Sequence, residues 1–436
     1  MLVPSHERTF LASFGTAADT TRGLVRAAGP PRTLPLNVLH ISESDSGGGA
    51  GRAAYALHRG LRLLGHRSSM LVGRKVTADA ETRSIKRSAA WRGADRAVGE
   101  VLDRVGLQYL LYPSSFGVVR DPWFRSADVV QLHNLHGSYF GFSAIPLLSA
   151  RRPTVWQLHD QWAMTGHVAY SLDCERWRYG CGSCPYLEEY PRLERDTTAL
   201  LWRLKRATYA RSRLTLVATS SWMASLVGAS PLLRRFRCLT IPNGVDTAQF
   251  RPGPRDEARR RLGLPTSRPI VLFVASELRE RRKGLALLEE ALRGLDRPPL
   301  LALAGHGAAA SGLETHALGP LDDDALADAY RAADVLATPT LADVLTLTAP
   351  ESLACGTPCV SFDRGGITDV VRDGETGLHA PFGDAAGLAR TLERLLGDDE
   401  LRARLGARGR ELAERDFSIE LQVRRYAELY EELAAA

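Results

Sequence analysis

The sequence predicts an α/β protein made of two parallel-sheet halves, and three observations carry that expectation. From Leu36 onward, short apolar runs alternate with amphipathic helical patterns. A second series of the same kind begins at Pro269. Between them, Ile241–Arg268 is rich in proline, glycine and arginine and reads as a linker. Alternating strand and helix is the pattern of a parallel sheet covered by helices on both faces. At 436 residues the chain is long enough for two such domains.

In the first half the strand-like runs are Asn37–Ile41, Ser68–Val72, Asp128–Leu132, Thr154–His159 and Leu214–Thr219, with a helix over Ala50–Leu64. In the second half, strands are expected at Ile270–Ala275, Leu300–Ala304, Val335–Thr338 and Pro358–Phe362. Helices are expected at Gly284–Gly294, Asp324–Ala333 and Pro350–Ala354. Ile419–Leu433 is amphipathic and reads as a closing helix. Residues 1–34 carry acids early, have no compact apolar stretch, and reach Gly29-Pro30-Pro31, so a loose leader is expected there. The resulting domains are 1–34 leader, 35–240 first domain, 241–415 second domain and 416–436 C-terminal helix, expected to pack across the domain join.

Hydrophobic content of 44% and charged content of 24% fit a globular domain protein. No run of about 18 apolar residues exists, which excludes a helical membrane span. The net charge of +6 invites a nucleic-acid reading. Only four of the 56 basic residues are lysines, the arginines are scattered, and no nucleic-acid module accompanies them, so that class is set aside. The stretch from Leu200 to Arg213 reads as a surface helix with an apolar inner stripe; contact with an anionic membrane is the subsidiary reading. The expected location is cytoplasmic, with peripheral contact at the inner face of a membrane as that second reading.

The stretch Asp334–His379 says most about chemistry. It reads strand, loop, buried helix, Cys-Gly-Thr-Pro turn, strand, then a Gly365–Gly366 turn. Ligands bind at the carboxyl ends of parallel strands, and ionised carboxylates are favoured at helix starts. Glu351 at the helix start and Asp343 eight residues earlier suit a ligand rich in hydroxyls and phosphates. Gly47-Gly48-Gly49-Ala50-Gly51-Arg52 opens a helix after a strand, where backbone N–H groups can approach a phosphate. It does not complete a dinucleotide fingerprint. Arg282 and Lys283 follow another strand and can neutralise a diphosphate, one as a fork and one as a point charge.

His159, at a strand end, can hydrogen-bond a sugar hydroxyl or stabilise developing charge. His133, Asn134 and Asp160 occupy analogous edges and read as the acceptor side. Asp322-Asp323-Asp324 is read as helix-start chemistry and not as a metal site. Cys174, Cys181 and Cys184 argue for either a zinc knuckle, with His167 as fourth ligand, or free thiols. Cys238, Cys355 and Cys359 read as core thiols.

The Asp343–Glu351 pair before Ala354-Cys355-Gly356-Thr357-Pro358 resembles the donor site of retaining glycosyltransferase family four, whose hallmark is Glu-x7-Glu before such a turn. Asp343 stands where that family has the first glutamate. The span from Leu158 to Pro185 resembles its colanic-acid and capsular-polysaccharide subgroup, in which several members carry a cysteine where this chain has Val168. The resemblance covers residues 36–433. It implies a GT-B fold, two Rossmann-like domains facing a central cleft, and hexosyl transfer from a UDP- or GDP-sugar with retention and no catalytic metal. By the same resemblance Gly48 and Gly49 cover the donor diphosphate, Lys283 and Arg282 bind it, Glu351 holds the ribose, Asp343 the sugar, and His159 the reacting centre. The acceptor would be a saccharide, a lipid-linked saccharide or a secondary metabolite. A sugar-nucleotide epimerase of the same fold and a non-catalytic sugar-nucleotide-binding relic are the rival readings.

Overall fold

The computed structural model describes residues 35–86, 88–308 and 312–436; the leader expected over 1–34 lies outside them. The chain divides into two compact units, 1–242 with 422–436, and 243–421.

The first unit is built on β1 (Asn37–Ser44), β2 (Arg67–Arg74), β3 (Thr82–Ser84), β4 (Val129–Leu132), β5 (Thr154–Leu158), β6 (Thr215–Ala218) and β7 (Arg237–Thr240). All neighbours pair in parallel, in the order β3-β2-β1-β4-β5-β6-β7. Central strands are buried on both faces, which is why β4, β5 and β6 consist of buried residues only. The chain runs outward from β1 to β3, then returns to place β4 on β1's other side. That reversal is a topological switch point, where the loops after β1 and β4 diverge and leave a crevice. Helix α1 (Gly48–Leu63) follows β1 and buries Ala53, Ala54, Leu57 and Leu61 against the sheet.

The second unit repeats the plan with β8 (Ile270–Glu277), β9 (Leu300–His306), β10 (Thr315–Gly319), β11 (Val335–Thr338), β12 (Cys359–Phe362) and β13 (Gly377–Ala380). The order is β10-β9-β8-β11-β12-β13, again all parallel, with its switch point between β8 and β11. Two apolar clusters cover the two faces of this sheet, one around Leu272, Leu336 and Leu353, the other around Val271, Val360 and Leu405.

Several expectations need correction. The stretch read as a linker contains helix α2 (Arg255–Arg261), and Arg259 anchors it: its Nη2 meets Asp334 at 2.8 Å and its Nε donates to the Ala332 carbonyl at 2.9 Å. Its polarity hid a buried guanidinium. Strands β3, β7, β10 and β13 were not expected. Edge strands β7 and β10 contain no fully buried residue, so they carry no continuous apolar run. In β13 a Cβ on Gly377 would lie 2.3 Å from the Cys359 carbonyl oxygen, so the close approach of that strand to β12 requires glycine. Cys238 is only partly buried, on edge strand β7, whereas Cys355 and Cys359 are core thiols. Asp322 caps helix Asp323–Ala332 by accepting from Ala325 N at 2.9 Å, the helix-start role read from sequence. Among the described residues no helix is long and apolar enough to cross a membrane.

Candidate active site

Functional residues gather at the switch point of each sheet, and each unit is taken separately. In the second unit the turn Arg281–Lys283 follows β8, and the loop after β11 begins at Pro339. Gly284 joins them. It has φ +79°, and a Cβ there would lie 2.0 Å from the Pro339 carbonyl oxygen, so neither the conformation nor the space admits another residue. Leu341 N–H and the Thr340 hydroxyl both donate to the Arg282 carbonyl, at 2.7 and 3.1 Å. The basic turn is therefore stapled to the loop that carries Asp343.

Asp343 Oδ2 accepts from Lys283 Nζ at 2.6 Å and from Arg282 Nη1 at 3.0 Å. Arg282 Nε also meets Glu280 Oε1 at 2.5 Å. Burial alone would raise the Asp343 pKa, but the adjacent Lys283 and Arg282 charges outweigh it and hold the carboxyl below its ordinary value. Lys283 and Arg282 keep 18% and 19% side-chain exposure, enough for a ligand to reach them. Asp343 itself is 7% exposed. The residue expected to face a sugar thus has one carboxylate oxygen committed to orienting the two cations. Glu351, 2% exposed in helix α3 (Thr348–Ala354), accepts from the Tyr330 hydroxyl at 2.8 Å. Its carboxylate is held in place from inside the unit.

In the first unit the glycine loop opens α1. Ser44 Oγ accepts from Gly47 N at 2.9 Å and Ser46 N at 3.2 Å, turning the chain into the helix. Gly48 has φ +61°, and added Cβ atoms at Gly48 and Gly49 would meet nothing within 4 Å. The first turn has neither a side-chain cap nor an acidic residue, which leaves its N–H groups open to an anion.

Beside it, after β4 and β5, lies a small pocket lined by His133, Asn134, His136, His159 and Asp160. Two histidine systems meet there. His136 Nε2 bonds Asp160 Oδ2 at 2.6 Å, and its Nδ1 meets the Tyr190 hydroxyl at 3.1 Å. Burial would raise the Asp160 pKa, but His136 and the Trp162 N–H (2.9 Å) keep the carboxyl ionised, below its ordinary range. The second system is a row of three imidazoles. His40 Nδ1 lies 3.0 Å from His133 Nε2, and His133 Nδ1 lies 3.2 Å from His159 Nε2. Burial pushes the His159 pKa down to about 4, with Asp160 partly opposing. His133, expected on the acceptor side, borders this pocket, but it is fully buried, each ring nitrogen faces another imidazole, and the Gln157 side chain lies against it.

The cysteine loop forms another pocket of the first unit, lined among others by His167, Cys174, Cys181 and Cys184. His167 Nδ1 donates to the Pro191 carbonyl at 2.7 Å, which leaves Nε2 as a lone pair 3.4 Å from Cys184 Sγ. Cys181 Sγ accepts from Gly166 N at 3.2 Å, and burial pushes its thiol pKa up to about 11. All six cysteines are free, and among the described residues no three His, Cys, Asp or Glu groups are arranged to hold a metal. Lys205, on the helix whose basic face was considered for membrane contact, points inward. Its Nζ donates to the carbonyls of Trp162 (2.6 Å) and Thr165 (3.1 Å) and lies 3.6 Å from the Trp162 ring centroid. That correction removes one cation from the outer face and leaves Arg203 and Arg206 exposed there.

Sequence reasoning missed His40, Tyr190, Tyr330 and the inward turn of Lys205. Of these only His40 left a signal, a lone imidazole between Leu39 and Ile41 in a buried strand.

A two-unit α/β protein with basic and acidic groups at one switch point, and histidines with a glycine loop at the other, has the parts of a nucleotide-sugar-dependent glycosyltransferase of the GT-B class. Comparison with known proteins agrees. The profile "Glycosyltransferase Family 4" matches residues 47–249, and "Glycosyl transferases group 1" matches residues 254–412. The chain thus joins a glycosyltransferase family 4 region to a glycosyl transferases group 1 region. It is similar to a D-inositol 3-phosphate glycosyltransferase of Acidothermus cellulolyticus, 34% identical over 233 residues, a match that spans 49% of each protein. It is also similar to the enzyme of that name from Rhodococcus erythropolis, 27% identical over 417 residues and 89% of each chain. Among solved structures it resembles Anabaena HepE in complex with UDP-glucose, with a TM-score of 0.64, 18% identity and coverage of 91% of this chain and 99% of that one. That last likeness is one of fold.

Proposed function

We propose that this protein transfers a hexosyl group from a UDP- or GDP-hexose to a saccharide or other hydroxyl-bearing acceptor, with retention of anomeric configuration. The observation that carries this reading is the cation pair Lys283 and Arg282, preordered by Asp343 at the switch point of the second sheet. Two cations fixed before binding favour a diphosphate and lose little side-chain freedom when it arrives. Glu351, oriented by Tyr330, is assigned to the ribose hydroxyls, and Gly48 and Gly49 to the diphosphate from the first unit. His159 is assigned to the transferred sugar, and Asn134 and Asp160 to the acceptor. The UDP-glucose complex of the similarly folded HepE supports a uridine nucleotide as the first donor to try.

A double displacement needs a carboxylate placed as nucleophile. Asp160 is tied to His136 and the Trp162 N–H, so we assign it no such role. The reading is same-face substitution: the acceptor oxygen bonds to the anomeric carbon, the bond from that carbon to the donor phosphate breaks, and the leaving phosphate takes the acceptor proton. The cations would offset the leaving charge in place of a metal. The test is transfer of label from UDP- and GDP-hexoses to a panel of sugars, lipid-linked saccharides and, from the names of the relatives, inositol phosphate. We expect transfer, undiminished in EDTA. Rescue of a chelated, folded but inactive enzyme by magnesium or manganese would overturn the metal-free reading. Release of an epimer or free nucleotide without any transfer would select the epimerase, and binding without turnover the relic.

Two further assignments belong to this reading. We place the protein in the cytoplasm; contact of the exposed Arg203 and Arg206 with anionic lipid stays the subsidiary reading, since Lys205 turns inward. The cysteine loop is either a structural zinc site, with Cys174, Cys181, Cys184 and His167 as ligands, or a loop of free thiols; among the described residues the four are not arranged to hold a metal, so the thiols would have to turn toward His167 Nε2 on loading. Under the zinc reading, elemental analysis of fresh protein finds zinc in a one-to-one ratio, lost slowly to chelator without loss of nucleotide binding. No zinc, with all three thiols freely titratable, rejects that reading.

A further inference from the structure

The row His40–His133–His159 crosses three adjacent central strands of the first sheet: His40 lies within β1, and His133 and His159 directly follow β4 and β5. The His40 and His133 rings are nearly parallel, with an interplanar angle of 14°, so their 3.0 Å N···N contact runs edge to edge. A neutral imidazole has one N–H and one lone pair. His133 must therefore donate at one of its two contacts and accept at the other, and the whole row has a single polarity. The free end decides which. His40 Nε2 is buried with no hydrogen-bond partner. If the row ran from His159 toward His40, that atom would be a buried orphan N–H, which folded proteins avoid more strictly than an under-used acceptor. If it runs the other way, His40 Nε2 is only a bare lone pair.

We propose that His40 and His133 are positioning residues that lock His159 in the Nδ1–H tautomer, so that it meets the transferred sugar as a hydrogen-bond donor. His40 Nδ1–H donates to His133 Nε2, His133 Nδ1–H donates to His159 Nε2, and His159 Nδ1–H is left for the ligand. Burial keeps His40 and His133 neutral by lowering their pKa values well below the ordinary imidazole range. An extra proton anywhere on the row would turn two N–H groups toward each other or orphan one. The catalytic half of this inference rests on the assignment of His159 to the sugar; the tautomer half does not.

The test is side-chain nitrogen NMR on full-length protein labelled with ¹⁵N-histidine, with His159 signals identified by their loss in His159→Gln. In wild type we expect a protonated Nδ1 and a bare Nε2 at His159. His40→Asn keeps an amide N–H near the position of Nδ1 and should preserve that pattern. His40→Met removes the donor, so His159 should move toward the Nε2–H form, while kcat falls about tenfold, part of the 10²–10³ that outright loss of a preorganised donor costs. An Nε2–H His159 in wild type, or a tautomer unmoved by His40→Met, overturns the relay. If the tautomer moves and kcat does not, the assignment of His159 to the sugar is what fails.

Discussion

Lys283→Ala is expected to weaken UDP or GDP binding about tenfold or more while the second unit stays folded. A hydrogen bond to a charged group contributes about 1.5–3 kcal/mol, and about 1.4 kcal/mol is a factor of ten in affinity. The fold should survive because the variant orphans no buried charge. Asp343, nearly buried, keeps Arg282 Nη1 at 3.0 Å after Lys283 is gone. Removing Asp343 would be a different experiment, since it would release both cations at once and mix orientation with binding. Calorimetry with free nucleoside diphosphate isolates the contact, because it involves neither the sugar nor the acceptor. An affinity equal to wild type in a folded Lys283→Ala protein would falsify the assignment of this turn to the diphosphate.

The same cluster shows what the sequence could and could not disclose. Arg282, Lys283 and Asp343 were legible because they lie in loops that follow strand-like runs, where a parallel sheet places its ligands, and Glu351 because it is an acid at the start of the next helix. That Asp343 binds the two cations was not legible. The pairing spans 60 residues and depends on Gly284 bringing the turn against Pro339, a close approach that no local pattern encodes. The central strands were readable from continuous apolar runs, and the edge strands were not, because half-exposed edges carry mixed residues. Arg259 misled for the opposite reason: a charged residue reads as surface until a carboxylate such as Asp334 is known to await it inside. His133 shows both effects, since its position at a strand end was readable but its complete burial between two other imidazoles was not.

Turnover should be most sensitive at His159, and the choice of replacement matters. In His159→Gln the side-chain carbonyl oxygen can occupy the place of Nε2 and still accept from His133, so the row keeps its internal bond. What disappears is the Nδ1–H offered to the sugar. Loss of one preorganised donor of this kind lowers kcat by about 10²–10³-fold. His159→Ala should show the same loss and a lower melting temperature besides. It takes the His159 partner, 3.2 Å away, from a wholly buried ring nitrogen of His133. An orphaned buried polar group destabilises by about 1–3 kcal/mol. UDP affinity should be unchanged in both variants: Lys283, Arg282 and Glu351 belong to the other unit, and the contacts assigned to Gly48 and Gly49 are made by backbone that neither substitution alters. The glutamine variant therefore separates chemistry from stability, and the nucleotide titration separates chemistry from donor binding. A folded His159→Gln enzyme that turns over at the wild-type rate would remove His159 from the reaction. One that loses UDP affinity as steeply as kcat would move it to the nucleotide.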